Sequence, residues 1–225
     1  MPIKVFNKVH PDYELLRHLR GSVIVIDSLI GGGKTSLGRK LSKYLEDVQL
    51  PVKFFEEEVD EQFLELFLKD KKKYAFAFQM FMLSNRQKVY IAAINFAHQH
   101  NGISIVDRSL LGDAAFCDLH HDYGNISNEE WEVYQSIVNN TQLPSPSIVL
   151  YLEVEPEIAI ERIKERNRGS ETSVYTLDYL KDLDISYKTI FAEHGSYITY
   201  VDWNEPRSLD RDDLIEICDL LNPRD

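Results

Sequence analysis

The sequence predicts an α/β fold: a five-stranded parallel sheet flanked by helices, three layers deep. Two observations carry this. Five short runs, at 23–26, 52–55, 103–106, 148–152 and 198–201, are nearly continuously apolar and rich in β-branched or aromatic residues, as strands buried on both faces are. Segments of helical periodicity separate them, and strands alternating with helices build a parallel sheet with crossover helices on its faces.

Each element has its own warrant. The run at 23–26 feeds a glycine cluster, after which 34–45 carries Leu37, Leu41, Tyr44 and Leu45 on one helical stripe. The second strand, 52–55, runs into the acidic turn Glu56-Glu57-Glu58. The long, mostly apolar stretch 74–100 predicts a central buried helix. The third strand ends at Asp107-Arg108-Ser109. Ser127 and Glu130 are spaced as a capping box that opens a helix through 139. Pro156 can start another helix after the fourth strand, running to 166.

Composition bounds the function. A chain of 225 residues suits one well-cored α/β domain, taken here as 1–225. The net charge of −12 argues against a broad nucleic-acid or anionic-membrane surface. No apolar run reaches the roughly 18 residues of a membrane helix. The acidic residues among the first twenty-one argue against an organellar presequence. Cys117 and Cys218 are too few for a disulfide framework and too isolated for a zinc site, which fits a reducing, cytoplasmic setting. His98, His100, His120 and His121 lack ligand spacing with acids or cysteines, so they are read as structural.

The stretch VIVIDSLIGGGKTSL, 23–37, nearly matches a phosphate-binding loop, G-x-x-x-x-G-K-[ST], except that Ser28 stands at the first glycine. Glycines let backbone N–H groups converge on a polyphosphate, and the following helix adds its positive end. Gly31, Gly32, Gly33, Lys34, Thr35 and Ser36 are therefore the expected phosphate-holding segment. Lys34 would reach the β- and γ-phosphates and Thr35 would ligate Mg²⁺. This specifies the architecture as a P-loop NTPase-type three-layer fold.

Four further motifs fit that loop. Asp107, at the carboxyl end of strand three, stands where such enzymes hold Mg²⁺, with Arg108 beside it in the same crevice. Arg162 and Arg166 share a helix face, and Arg168 and Glu171 follow in a lid-like segment near 162–171. Three arginines can clamp the charge of a transferring phosphoryl group, although a salt-bridged helix end reads the same way. One of Glu56, Glu57 and Glu58 could take a proton from a hydroxyl, although three acids also suit a solvated turn. Gln79, Met82 and Arg86 fall on one helix face, and the Gln79 amide offers a donor–acceptor pair suited to a nucleobase edge, or to core hydrogen bonding.

This ordered set resembles the deoxynucleoside kinase family over roughly residues 22–200. The resemblance implies transfer of the ATP γ-phosphoryl, with Mg²⁺, to the 5′-hydroxyl of a deoxynucleoside, by a homodimer joined through long helices. It implies Glu57 as general base, Gln79 on the base edge with Arg86 and Asp113 on its far side, and Met82 adding bulk there. It implies Asp107 and Thr35 at Mg²⁺ and Arg108 orienting the 5′-oxygen and phosphates. It implies Arg162, Arg166 and Arg168 as the lid and Glu171 on the sugar 3′-hydroxyl. The charged pair Arg86 and Asp113 implies a purine or cytosine base rather than thymine. Ser28 departs from the family loop, Glu58 stands where proline is usual, and Leu68 aligns where a tyrosine often meets the 3′-hydroxyl. The competing readings are a nucleoside monophosphate kinase, whose acceptor phosphate the acid-rich turn would repel, and a regulatory module that binds nucleotide without turnover.

Overall fold

The computed structural model describes residues 10–166, 175–194 and 197–221. In chain order the elements are α1 (Tyr13–Leu16), β1 (Val23–Ser28), α2 (Lys34–Asp47), β2 (Val52–Phe55), α3 (Glu61–Lys69), α4 (Lys71–His100), β3 (Ile103–Asp107), α5 (Leu110–Asp122), α6 (Asn128–Asn140), β4 (Ile148–Glu153), α7 (Pro156–Arg166), α8 (Leu177–Glu193), β5 (Ile198–Asp202) and α9 (Arg211–Leu220).

The five strands pair parallel in the order β2-β3-β1-β4-β5. After β1 the chain crosses toward β2; after β3 it crosses toward β4, on the other side. The connections therefore diverge between β1 and β3, and a crevice opens at their carboxyl ends, where sheets of this kind bind ligands. Ile26 pairs in register with Asp107, so the glycine loop and the β3 acid emerge side by side.

The expectation that every strand is buried on both faces holds for β1 and β3 and nearly for β4, but not for β2 and β5. These two are the sheet edges, so each has a neighbour on one side only. The long helix begins at Lys71, where Asp70 caps it by accepting from Lys73 N at 3.1 Å. It is not buried all round. Ala75, Gln79, Met82, Leu83, Tyr90, Ala93 and Ala97 make one buried stripe, while Ile91 is exposed, because only one side of the helix packs against the rest of the fold. The capping box at Ser127 and Glu130 is present, with Glu130 N donating to Ser127 Oγ and Ser127 N to Glu130 Oε2.

The main core surrounds the sheet. A smaller cluster holds Phe67, Leu83, Cys117, Ile126 and Tyr134, which fastens α3, α4, α5 and α6 together beyond the strand ends. That second cluster sets the far wall of the crevice. Among the described residues no helix is long and apolar enough to cross a membrane.

Candidate active site

The glycine loop is built by local necessity. Gly31 and Gly33 have φ of +81° and +89°, the left-handed region that side chains avoid. A Cβ on Gly32 would overlap Ser28 Oγ and stand 2.6 Å from Ser28 Cβ. Ser28 is thus accommodated because Gly32 leaves room for it. It sits in β1 rather than in the loop, and its hydroxyl donates to Leu152 O at 2.7 Å, tying β1 to β4.

Lys34 is turned back on this loop, donating to Leu29 O at 2.9 Å and Ser28 O at 3.4 Å. Burial, with Arg108 nearby, pushes its ammonium down to about 8, against the pull of Asp107 and Asp27. Thr35 Oγ1 donates to Asp107 Oδ2 at 2.6 Å. Asp107 Oδ1 is buried and without a hydrogen-bond partner among the described residues. Burial raises the Asp107 carboxyl and Lys34 opposes it. An orphaned, desolvated carboxylate oxygen beside a threonine hydroxyl is a donor set that suits a small hard cation, which would satisfy it.

Arg108 follows β3 with φ +75°, a strained backbone for a side chain this long. The strain is over-determined by its contacts. Its N donates to Ile26 O at 2.9 Å, and Nη1 donates to Ser28 O at 3.1 Å and Tyr187 Oη at 2.8 Å. Its Nε donates to Glu57 Oε2 at 2.9 Å, and the Phe116 ring lies 5.0 Å from the guanidinium. Glu57 is the middle acid of the turn after β2. Its other oxygen, Oε1, accepts from Arg86 Nη2 at 2.5 Å. Burial opposes ionisation of Glu57, but Arg86 and Arg108 outweigh it and hold the carboxyl down to about 2. Glu56 instead pairs with Arg39 at the surface, and Glu58 is exposed.

Deeper in, Asp113 is fully buried and accepts from Arg86 Nη1, from Tyr134 Oη at 2.7 Å and from Gln79 Nε2 at 2.8 Å. Gln79 Nε2 also donates to Asp113 O at 2.9 Å. Both amide hydrogens of Gln79 are thereby used, which leaves Oε1 as the atom it can offer a ligand. A cleft of about 860 Å³ joins these parts: Gly31, Lys34 and Thr35 at one end, Glu57 and Arg108 in the middle, Gln79, Met82 and Arg86 at the other.

The sequence profile described as deoxynucleoside kinase matches residues 24–219. The chain is similar to a deoxyadenosine kinase of Dictyostelium discoideum, 31% identical over 96% of this chain and 86% of that one. The chain belongs to the deoxynucleoside kinase family. It is also 32% identical to a deoxyguanosine kinase of the same organism, over 81% of this chain and 64% of the other. Among solved structures it is similar to deoxyadenosine kinase from M. mycoides with bound dCTP. The TM-score is 0.69 at 30% identity, covering 87% of this chain and 95% of that one.

Within this kinase the cleft takes in some of the expected residues and not others. Leu68 packs on the small buried cluster, whose member Phe67 also lines the cleft. Asp113 does not line the cleft; it reaches it through Gln79 and Arg86. Arg162 donates to the Trp203 and Asn204 carbonyls at 2.9 and 3.0 Å, beyond the end of β5, whereas Arg166 lines the cleft. Ser36 is exposed on α2. Arg168 and Glu171 lie outside the described residues.

Sequence reasoning missed a buried hub. Asp27 accepts from Ser28 N and Ser109 N, both at 2.8 Å, from Ser109 Oγ and from Tyr187 Oη at 2.9 Å. An acid inside the apolar run VIVIDS was its signal, since a buried carboxylate needs partners. Tyr187 had none, because its place depends on α8 packing over the sheet. The kinase also lines its cleft with His120 and Tyr179, whose polar atoms stand 3.5 Å apart. Burial, with Lys71, pushes His120 down to about 4, so its ring is neutral at pH 7.

Proposed function

We propose that this kinase transfers the γ-phosphoryl of ATP to the 5′-hydroxyl of a purine or cytosine deoxynucleoside in preference to thymidine. The single observation that carries the reading is the position of Glu57, in one cleft between the phosphate loop and the Gln79–Arg86–Asp113 cluster. A hydroxyl held there has a proton acceptor on one side and a phosphate cradle on the other.

In this reading the glycines 31–33, Lys34 and Ser36 hold the donor phosphates, with Arg162, Arg166 and Arg168 acting as a lid near 162–171. Thr35 and Asp107 would hold Mg²⁺, which would draw charge from the phosphoryl oxygens. Glu57 takes the hydroxyl proton and Arg108 orients the acceptor. Gln79, Met82 and Arg86 meet the base, with Asp113 behind them, and Glu171 meets the sugar. Two things support the base preference. The relatives are deoxyadenosine and deoxyguanosine kinases. Gln79 Oε1 is an acceptor that suits an exocyclic amine.

The reading also takes 1–225 as one domain of a cytoplasmic homodimer. The uncovered apolar residues of α4 and α6, among them Ile91, Val133 and Ile137, support joining through helices, and sedimentation equilibrium tests it. ADP formation with each deoxynucleoside and each deoxynucleoside monophosphate tests the activity. Turnover confined to the monophosphates would make this a nucleotide kinase, and none with either would make it a binding module.

A further inference from the structure

Each Glu57 oxygen is held by a different arginine: Oε1 accepts from Arg86 and Oε2 from Arg108. A carboxylate held this way is a poor acceptor for an alcohol proton, since each donor stabilises its charged form. The two arginines differ, however. Arg108 is anchored by β1 and by Tyr187, so it has four other contacts to hold it. Arg86 spans two acids, with Nη1 on Asp113 and Nη2 on Glu57, and its Nε is buried with no partner among the described residues. A buried donor left unsatisfied is costly and leaves the guanidinium able to take a further acceptor.

We propose that the Arg86 pair restrains Glu57 as a proton acceptor, and that a nucleobase releases it by offering the guanidinium a replacement acceptor, so that base recognition switches on the proton acceptor. This rests on the reading of Glu57 and Gln79 given above. Arg86 and Gln79 share Asp113 as their partner, so a base edge that reaches Gln79 Oε1 also reaches Arg86. A base with a ring-nitrogen or carbonyl acceptor gives Arg86 somewhere to turn while Nη1 stays on Asp113. Glu57 Oε1 is then open.

The 5′-hydroxyl proton passes to that oxygen, and the hydroxyl electron pair forms the new O–P bond. The bond from the γ-phosphorus to the β–γ bridging oxygen breaks, and ADP leaves with that electron pair. Arg108 stays on Oε2 throughout. Water or a bare sugar cannot displace Arg86, so both meet a locked acceptor. Arg86 is thus a specificity-determining residue acting through kcat as well as through binding.

The test splits the substrate into pieces. Wild-type kinase with ATP and Mg²⁺ is given the base-free sugar 1,2-dideoxyribose, with and without a saturating free nucleobase, chosen as the base of the best substrate. Occupancy by the base is verified by its competition with the whole nucleoside. The free base is expected to raise sugar phosphorylation about tenfold or more, a part of the roughly 10²–10⁴-fold that general-base help supplies. In Arg86→Gln the base-free sugar should react about tenfold faster than in wild type, the nucleoside should react more slowly, and added base should no longer stimulate. Arg86→Gln/Asp113→Asn, which removes both charges of the buried pair, should behave like the single variant and answers for it if that one does not fold. A bound free base that leaves wild-type sugar turnover unchanged, or variants whose sugar turnover does not rise, would overturn the lock. Wild type inactive on every deoxynucleoside would instead overturn the proposed function.

Discussion

Thr35 Oγ1 donates a 2.6 Å hydrogen bond to Asp107 Oδ2, joining the first turn of α2 to the end of β3 across 72 positions of sequence. The bond leaves Asp107 Oδ1 buried and unpartnered among the described residues. Asp107→Asn removes the charge that would answer a cation there. We expect kcat to fall by about 10²–10³-fold, the usual cost of losing one preorganised electrostatic group. The Mg²⁺ concentration for half-maximal rate should rise. A magnesium titration of the initial rate checks both, and an unchanged titration would take Asp107 out of the metal site.

The three glutamates after β2 have different surroundings in the structure. Glu57→Gln should lower kcat by about 10²–10⁴-fold, with ATP affinity nearly intact. Glu56→Gln loses only a surface pair with Arg39, and Glu58→Gln only an exposed charge. Both should stay within about threefold of wild type, since surface pairs contribute little. A crippled Glu56 or Glu58 variant beside a mild Glu57 variant would move the base to a neighbour.

Lys34 is expected to set a pH dependence on nucleotide binding. Its ammonium is pushed down to about 8, chiefly by burial. Bound polyphosphate favours the charged form and raises that value. Affinity is therefore full below pH 8 and falls as pH rises through it, by up to about tenfold per unit. Above pH 8 binding should also take up a proton. Calorimetry in buffers of different ionisation enthalpy measures that uptake. An affinity flat from about pH 7 to 9.5 would contradict it.

Ser28 and Gly32 form a pair. Gly32 has no left-handed φ, so its intolerance of a side chain comes from Ser28 Oγ and from Leu29 O at 3.0 Å. Gly32→Ala should cost about 1–3 kcal/mol by overpacking. Adding Ser28→Gly should recover much of that, a coupling that a double-mutant cycle by thermal unfolding measures. Strict additivity would mean the two do not meet.

Base choice is read from kcat/KM. Thymidine should fall at least about tenfold below the best purine or cytosine deoxynucleoside, because a site built on hydrogen bonds rejects a ligand that leaves them unpaired. Thymidine ranking first in a four-nucleoside panel would contradict the Gln79 and Arg86 assignment.

The local chemistry of the site was legible in the chain. A strand, a glycine turn and a helix start are each written in a few consecutive residues, so VIVIDSLIGGGKT located the loop and Ser127 with Glu130 located a helix start within one residue. Ser28 looked like a defect in the loop because the space that receives it belongs to Gly32 and its hydroxyl partner to β4. The two edge strands looked as buried as the central ones because apolar runs do not say which strand has a neighbour on only one side.

Other parts were decided only by packing. Leu68 was counted onto the sugar side by an ungapped step back from Gln79, but Asp70, with φ −147° and ψ 82°, breaks the helix between them. Across such a break the helical phase is lost, and one residue of error turns a side chain by about 100°, which is why Phe67, itself in the small core, lines the cleft and Leu68 does not. Asp27 meets Tyr187 across 160 positions, and Arg86 stands between Glu57 and Asp113 across 29 and 27. Sequence alone determined which charged groups this kinase carries and which strand ends they follow, because both are local properties of the chain. Which carboxylate each arginine holds was settled by the packing of α4, α5 and α8 around the crevice, because buried charges choose partners by distance in space.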